Sequence, residues 1–356
     1  MRIVGAWRSL AARLLWEQEV AGSNPAAPTN HIRGYHRGQM LTALTFAAAL
    51  VIGLLVTPIV RTLAHRLELL DMPGGRKVHQ VPVPRLGGVA MIIAFGVAIG
   101  LATLASPDLG AVGSLRPNRA PAILVGVALL GLLGVIDDVR GTRALVKLAF
   151  QIAAALIGFG LGLSLDRLHL PWGAVDLGVL ALPITVAWIV GVINAVNLID
   201  GLDGLAAGVA LSVLGAFGLL AAVDGIDPTL PIIAATIGAA VGFLAYNLHP
   251  ASIIMGDTGS MFLGFVVAAV GIALTQDGVV PLPPWVPIVA LGVPIADMVW
   301  AVIRRGANGE PFFVADRGHI HHQLLRRGLS QRDAMLTLTA VSAGLGVLAV
   351  LLGRAG

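Results

Sequence analysis

The chain has 356 residues, of which 57% are hydrophobic and only 12% charged, and its formal net charge is +4. Soluble globular proteins carry about twice that share of charged residues, so the composition argues against a soluble enzyme. The apolar content also excludes disorder for the bulk of the chain, and the lack of cysteine excludes disulfides and thiolate metal sites.

Ten apolar stretches in the chain predict an all-α membrane protein. Each approaches the length of about 20 residues that a helix needs to cross a bilayer, where the backbone must satisfy its own hydrogen bonds. The stretches are 41–61, 87–106, 120–136, 147–164, 179–197, 205–223, 230–247, 258–275, 286–303 and 334–353. The sequence therefore predicts a single polytopic domain over residues 40–356, a bundle of about ten transmembrane helices.

Residues 1–39 do not follow this pattern. They carry five Lys and Arg residues and loop formers around Pro25, and their apolar stretch is short and interrupted by Arg13 and Glu17. This is a poor signal peptide. We expect a disordered tail here, or a chain whose translation starts at Met40, directly before the first span.

The charged residues are unevenly distributed between the connections of these spans. The odd-numbered connections, with Arg61 at a span end, hold 14 of the 23 Lys and Arg residues, and the even-numbered side holds four. The positive-inside rule places the odd-numbered side in the cytoplasm. That side also holds 11 of the 19 acids and six of the nine histidines. The rule does not predict acids there, so we expect a polar site at the cytoplasmic face of the plasma membrane, and no nucleic-acid partner.

Adjacent carboxylates end the third span, at Asp137 and Asp138. Neighbouring carboxylates repel each other unless a cation or a proton relieves them, and Mg²⁺ prefers such oxygen ligands. A helix end that simply reaches water is the alternative. Lys147 and Gln151 open the fourth span, and their spacing of four residues places them on one helix face.

Asn194, Asn197, Asp200 and Asp203 recur at every third position. If this segment is helical, they lie along one face, and polar groups at a bilayer edge are costly unless they bind something. A helix break at Asp200 and Gly201 would explain two of the four. Asp257 precedes the eighth span, where it fits either an N-cap or a metal ligand at a helix N-terminus.

Two basic loops are candidates for phosphate binding. They contribute Arg76, Lys77, His79 and Arg85 in the first connection, and Arg317, His319, His321 and His322 in the ninth. Solvated basic loops are the simpler interpretation of both. Three histidines within four residues also fit Zn²⁺, but the surrounding carboxylates favour a harder ion.

Together these motifs resemble the polyprenyl-phosphate N-acetylhexosamine-1-phosphate transferase family, over residues from about Asp71 to about Leu329. The resemblance implies transfer of a sugar 1-phosphate from a UDP-N-acetylhexosamine to a polyprenyl phosphate lipid, with release of UMP. It implies Mg²⁺ as cofactor, with Mn²⁺ as a substitute, and a role in cell-envelope polysaccharide synthesis. A homodimer is compatible with this assignment.

The resemblance also assigns roles to single residues. It implies that Asp257, and with less support Asp200, binds the metal, and that Asp137, Asp138, Asp200 and Asp203 are catalytic. The implied substrate-binding residues are Arg76, Lys77, His79, Arg85, Lys147, Asn194, Asn197, Arg317, His319, His321 and His322. Ile320 interrupts the histidine run, which favours UDP-N-acetylglucosamine over a UDP-muramoyl-pentapeptide donor. Muramoyl-pentapeptide transferase and, in another class, an ion-coupled transporter are the alternatives.

Overall fold

The computed structural model describes residues 27–74, 81–105, 119–223, 229–276, 281–309 and 318–355, with side chains from residue 37 onward except at Val223. Helices make up most of these ranges. They are α1 Ala27–Arg66, α2 Gly87–Ala105, α3 Arg119–Arg140, α4 Ala144–Gly160, α5 Ala181–Ile199, α6 Leu205–Val223, α7 Leu230–Asn247, α8 Gly256–Gln276, α9 Trp285–Ala290, α10 Gly292–Ala307, α11 Ile320–Arg326 and α12 Gln331–Ala355.

Two short antiparallel hairpins accompany the helices. Strand β1 (Leu70–Asp71) pairs with β2 (Val83–Pro84), and β3 (Arg167–Leu170) pairs with β4 (Gly173–Asp176). A single turn of 3₁₀ helix at Gly178–Leu180 then leads into α5. The fold is that of a polytopic helical membrane protein, as the composition predicted.

Within the described residues, eight helices are long and apolar enough to cross a membrane, fewer than the ten predicted. The predicted fourth span is α4, an apolar helix of 17 residues. The predicted ninth span is broken into α9 and α10. Pro294 explains the break, because it has no N–H for the carbonyl four residues earlier and its ring crowds that carbonyl, which belongs to Ala290 at the end of α9.

The first helix begins earlier than the apolar pattern indicated. It runs from Ala27, so residues 27–39 are helical rather than disordered, and residues 1–26 lie outside the described part. Translation from Met40 stays a prediction. Helix α1 packs mainly against α7 and α2, at one side of the bundle.

Helix α8 forms the centre of the bundle, and its spanning window is entirely buried. It packs against α2, α3, α5 and α6. Glycines allow the closest approaches: a Cβ on Gly134 of α3 would lie 2.3 Å from Cα of Thr258, so only glycine fits there. The end of α3 therefore touches the first turn of α8. We call this end of the bundle the acidic end, and the opposite end, where α8 meets β3, the hairpin end.

Candidate active site

A cavity of about 290 Å³ opens at the acidic end. Residues from five separate connections line it, which is the convergence that the charge distribution predicted. The lining residues are Asp71, Arg85, Asp137, Asp138, Asp200, Gly201, Leu202, Asp203, Asn247, Ile254, Gly256, Asp257, His322 and Gln331.

Asp138 caps the N-terminus of α8 from the neighbouring helix. Its Oδ1 accepts a hydrogen bond from the N–H of Asp257 at 2.9 Å, and its Oδ2 accepts two from Thr258, from Oγ1 at 2.7 Å and from N at 3.2 Å. Gly256 makes this possible, because its φ is +70° and a Cβ there would lie 2.5 Å from the Asp138 carboxylate. Asp138 thus satisfies amides that a helix start leaves without partners.

Asp137 and Asp257 share a cation. Lys147 Nζ lies 2.7 Å from Asp137 Oδ2 and also forms an ion pair with Asp257 Oδ2. Asp137 Oδ1 accepts hydrogen bonds from the hydroxyl and the backbone N–H of Thr142. Asp257 lies in the first turn of α8, where the helix dipole also favours an anion. Helices α3, α4 and α8 therefore bring two acids and one lysine to a single point.

The two predicted asparagines contact protein groups rather than the cavity. Asn197 Nδ2 donates to Asp257 Oδ1 at 3.2 Å and to Ser260 Oγ at 2.8 Å. Asn194 Nδ2 donates to Oε1 of the buried Gln151 at 2.7 Å. These contacts join α5 to α8 and to α4, so the asparagines orient the acidic end, and Asn197 holds the second oxygen of Asp257.

The polar segment after α5 is not one continuous helix. The helix ends at Ile199, and a turn with Gly204 at φ +75° leads into α6, so the chain does break at Asp200, while the functional roles of these side chains stay predictions. Asp200 lines the cavity but is closely surrounded by protein. Its burial, followed by the charges of Asp257, Asp138 and Asp203, raises the pKa of Asp200 to about 8.

Asp203 is hydrogen-bonded by the loop between α7 and α8. Its Oδ2 lies 2.8 Å from His249 Nδ1 and accepts a hydrogen bond from the N–H of Ala251 at 3.1 Å. Asn247 joins the same two loops, since it accepts from the N–H of Gly204 at 3.0 Å and donates to the carbonyl of Ile253 at 2.9 Å. The loop before α8 and the turn before α6 are thus held together beneath the cavity.

Of the basic residues predicted to bind phosphate, Arg85 lies at the cavity and four others fall outside the described residues. Arg85 lines the cavity and forms an ion pair with the buried Asp71 of β1. Arg76, Lys77, His79 and Arg317 lie outside the described residues, so their roles stay predictions.

The three histidines separate into one cavity residue and two buried ones. His322 lines the cavity. His319 Nδ1 lies 2.8 Å from Oδ2 of the buried Asp297 of α10, whose Oδ1 accepts the N–H of Ile320 at 2.7 Å. His321 is buried against Gly201, and its burial, followed by the neighbouring His322, lowers its pKa to about 4. Two of the three rings therefore anchor α11 between α10 and the turn at Asp200.

The acidic end fits a divalent cation. One oxygen from each of Asp137, Asp138 and Asp257 lies within 4.8 Å of the others. Among the described residues, Lys147 is the ammonium that pairs with these carboxylates, and the group of four carries two excess negative charges when all are ionised. Carboxylate oxygens are the ligands that Mg²⁺ prefers, and histidine is not part of this group.

Comparison with known proteins decides the family. The model for "Glycosyl transferase family 4" matches residues 120–275, a segment that contains Asp137, Asp138, Asp200, Asp203 and Asp257. A "Probable undecaprenyl-phosphate N-acetylglucosaminyl 1-phosphate transferase" of Bacillus subtilis is 38% identical over 88% of this chain and 85% of its own length. The chain belongs to glycosyl transferase family 4. This confirms the resemblance seen in the motifs.

Two other relatives of this family 4 chain cover similar lengths. A "Decaprenyl-phosphate N-acetylglucosaminephosphotransferase" of Mycobacterium leprae is 37% identical over 83% of the chain and 80% of its own length. The "Undecaprenyl-phosphate alpha-N-acetylglucosaminyl 1-phosphate transferase" of Escherichia coli K12 is 28% identical over 81% and 78%. Both therefore extend over most of the membrane domain rather than one motif.

Sequence reasoning missed residues that support the candidate site. Thr142 was not predicted, although a hydroxyl five residues after Asp137 and just beyond the helix end is placed to bond it. Asp297 was not predicted as a site residue either, although an acid inside an apolar stretch was an available signal. Nothing in the sequence indicated that Asp138 would cap a helix more than 100 residues away.

Proposed function

We propose that this chain transfers N-acetylglucosamine 1-phosphate from UDP-N-acetylglucosamine to polyprenyl phosphate in cell-envelope polysaccharide synthesis. The observation that carries the proposal is the likeness to N-acetylglucosaminyl 1-phosphate transferases over most of the chain. The buried acids at one end of a membrane bundle support it, because a reaction between two phosphorylated substrates needs charge compensation and precise positioning.

The reaction balances without net proton removal. An oxygen of the lipid phosphate forms a bond to the phosphorus that carries the sugar, and the bond from that phosphorus to the UMP oxygen breaks. A phosphate monoester has a second pKa of about 6, so the lipid phosphate is mostly dianionic at neutral pH. Asp137 therefore acts by holding Lys147 and the metal in place rather than as a general base. Full recovery of an Asp137→Asn variant at high pH would contradict this role.

The acids divide into metal-facing and positioning groups. Asp257 and Asp137, with Asp200 close by, would hold Mg²⁺, which supplies charge neutralisation to the diphosphate when bound. Asp138 has both oxygens committed to the first turn of α8, so its main role is to orient Asp257. Lys147, Arg85 and His322 supply positive or hydrogen-bonding groups around the cavity for substrate phosphates.

The acidic end faces the cytoplasm in this proposal. Nucleotide sugars are cytosolic, and the 14-to-4 distribution of Lys and Arg favours the same orientation. Because the chain has no cysteine, the labelling of a single introduced cysteine shows on which side of the membrane that residue lies. In intact cells, Trp172→Cys at the hairpin end should react with an impermeant maleimide, whereas Glu68→Cys should react only after permeabilisation. The reverse pattern would overturn the orientation.

A donor assay tests the function itself. Purified protein is incubated with polyprenyl phosphate, Mg²⁺ and radiolabelled UDP-N-acetylglucosamine, or with the UDP-muramoyl-pentapeptide in a parallel reaction. We expect a lipid-linked product and UMP from the first donor, and none after chelation of the metal. Product from the muramoyl donor alone would assign the chain to that alternative, and solute uptake without UMP release would favour a transporter.

A further inference from the structure

A second cavity, of about 530 Å³, lies at the hairpin end. Its lining comes from α5, the last turns of α8, residues 282–288 at and before the start of α9, and strand β3. Thr275, in its wall, is 18 residues from Asp257 along α8, which is about 27 Å at 1.5 Å per residue. A molecule bound here does not reach the acids with its headgroup, so the cavity is separate from the active site.

The cavity wall is mainly apolar and presents few groups that could form hydrogen bonds with a ligand. Its side chains are mainly apolar, among them Ile184, Pro287 and Ile288. The polar atoms in the wall already have partners: Trp188 Nε1 donates to the carbonyl of Ala268 at 3.1 Å, and Thr275 Oγ1 donates to the carbonyl of Ile272 at 2.9 Å. A volume of this size is in the range of ligand sites, and such a lining suits an alkyl chain.

The mouth of the cavity carries the opposite character. Arg167 and His169 of β3 are the ionisable groups among the described residues that line it, and no acid is among those residues. Arg167 Nε lies 3.6 Å from Asp176 Oδ2, but both side chains are more than 60% exposed. An exposed pair of this kind is weak, so a phosphate group can compete for the guanidinium.

A buried side chain fixes this basic strand above the cavity. Gln276, at the end of α8, accepts hydrogen bonds from the N–H groups of Asp166 at 3.1 Å and Arg167 at 3.2 Å. It also donates to the carbonyl of Arg167 at 2.8 Å. Trp172, 80% exposed at the hairpin turn, is the residue type that concentrates at the level of lipid headgroups. The mouth is therefore placed where a headgroup would lie.

We propose that the cavity binds an anionic phospholipid of the leaflet at the hairpin end, with an acyl chain inside and its phosphate against Arg167 and His169. A guanidinium that pairs with a phosphate through charge-assisted hydrogen bonds supplies the chemistry that holds such a headgroup. This binding needs neither the sugar donor nor the metal, so its failure would leave the proposed transferase function untouched.

Native mass spectrometry of the purified protein in detergent tests the site. Phosphatidylglycerol and phosphatidylcholine with identical acyl chains are titrated separately. We expect phosphatidylglycerol to bind at least about tenfold more tightly, because its headgroup carries a net negative charge, whereas the choline ammonium of phosphatidylcholine offsets its phosphate and is repelled by Arg167. The Arg167→Gln/His169→Gln variant should remove that difference. Arg354→Gln is the matched control, because it removes an exposed charge at the same end of the bundle but outside the cavity lining.

Two further variants distinguish binding of the lipid headgroup from binding of its acyl chain. Ala187→Phe fills the cavity and should weaken both lipids. Asp176→Asn removes the competing carboxylate and should tighten phosphatidylglycerol binding alone, a gain that misfolding would not give. Equal binding of both lipids to the unmodified protein, or an equal loss in Arg354→Gln, would overturn the proposal. Displacement of phosphatidylglycerol by equimolar polyprenyl phosphate would overturn the assigned occupant.

Discussion

The polar groups at the two ends of the buried helix α8 are satisfied in different ways. At the hairpin end, Gln276 satisfies the backbone of β3 with a neutral amide, and Thr185 and Trp188 are likewise hydrogen-bonded to neutral partners. At the acidic end, Asp137, Asp138 and Asp257 lie together with one lysine among them. Neutral polar groups stabilise a fold without further help, whereas clustered like charges cost stability unless a ligand compensates them. The contrast supports the proposed placement of catalysis at the acidic end.

The largest effect should follow from removing the acid at the start of α8. Asp257→Asn deletes a metal-facing carboxylate, so transferase activity should fall by at least about a hundredfold. In metal-free buffer the same change relieves repulsion among the acids, so the melting temperature should stay level or rise. Mg²⁺ should then stabilise the unmodified protein but not the variant.

The exposed Asp333→Asn provides the control for that experiment, since it also removes a carboxylate at the acidic end but lies outside the cavity lining. Activity near normal in Asp257→Asn, with full stabilisation by Mg²⁺, would remove Asp257 from the metal site.

A smaller effect should come from the positioning acid. Asp138→Asn replaces an oxygen that accepts hydrogen bonds from α8 with an amide that cannot, so Asp257 shifts. We expect a loss of about 10- to 100-fold in Mg²⁺ affinity, as for other groups that orient a ligand. Saturating Mg²⁺ should restore most of kcat.

Thr258→Val removes one of the three donors to Asp138 and should give a weaker form of the same defect. Thr103→Val, whose hydroxyl bonds only within its own helix, is the matched control. If kcat in Asp138→Asn stayed low at every Mg²⁺ concentration, a direct catalytic role would replace the positioning role.

Much of this arrangement was predictable because it depends on local sequence patterns. The apolar stretches gave the helices, and the excess of acids on the cation-rich side indicated one polar end. The break between α9 and α10 was missed because Pro294 lies inside an apolar stretch and hardly changes its mean hydropathy. The spacing of Asn194 to Asp203 left a continuous helix and a helix break both open; the helix ends at Ile199, and Gly204 has a positive φ in the turn that follows.

Contacts between distant segments could not be predicted in the same way. Asp138 bonds a helix start 119 residues later in the chain, and Gln276 clamps a strand 109 residues earlier. Such pairs depend on how the helices pack, which the spacing of residues along one segment does not encode. The histidine motif shows the same limit, since its spacing did not reveal that His319 and His321 would be buried and His322 would line the cavity.

Acidification should destabilise the protein through His321. Its pKa is lowered to about 4 in the folded protein from an ordinary value of 6.5, so the unfolded chain binds a proton more readily. The stabilising contribution is complete above pH 6.5 and is lost as the pH falls from 6.5 towards 4. Melting temperatures at pH 7 and pH 5 should therefore differ less in His321→Gln than in the unmodified protein. The exposed His65→Gln should retain the full difference; an unchanged difference in His321→Gln would show that this ring does not titrate with unfolding.

The smallest effect on catalysis should come from the hairpin end. Gln276→Leu leaves the N–H groups of Asp166 and Arg167 and one carbonyl without this buried partner, at a cost of about 1–3 kcal/mol in stability. Because the change lies nearly 30 Å from Asp257 along α8, KM and kcat measured below the melting transition should be unchanged. A fall in kcat at full folding would mean that α8 couples its two ends.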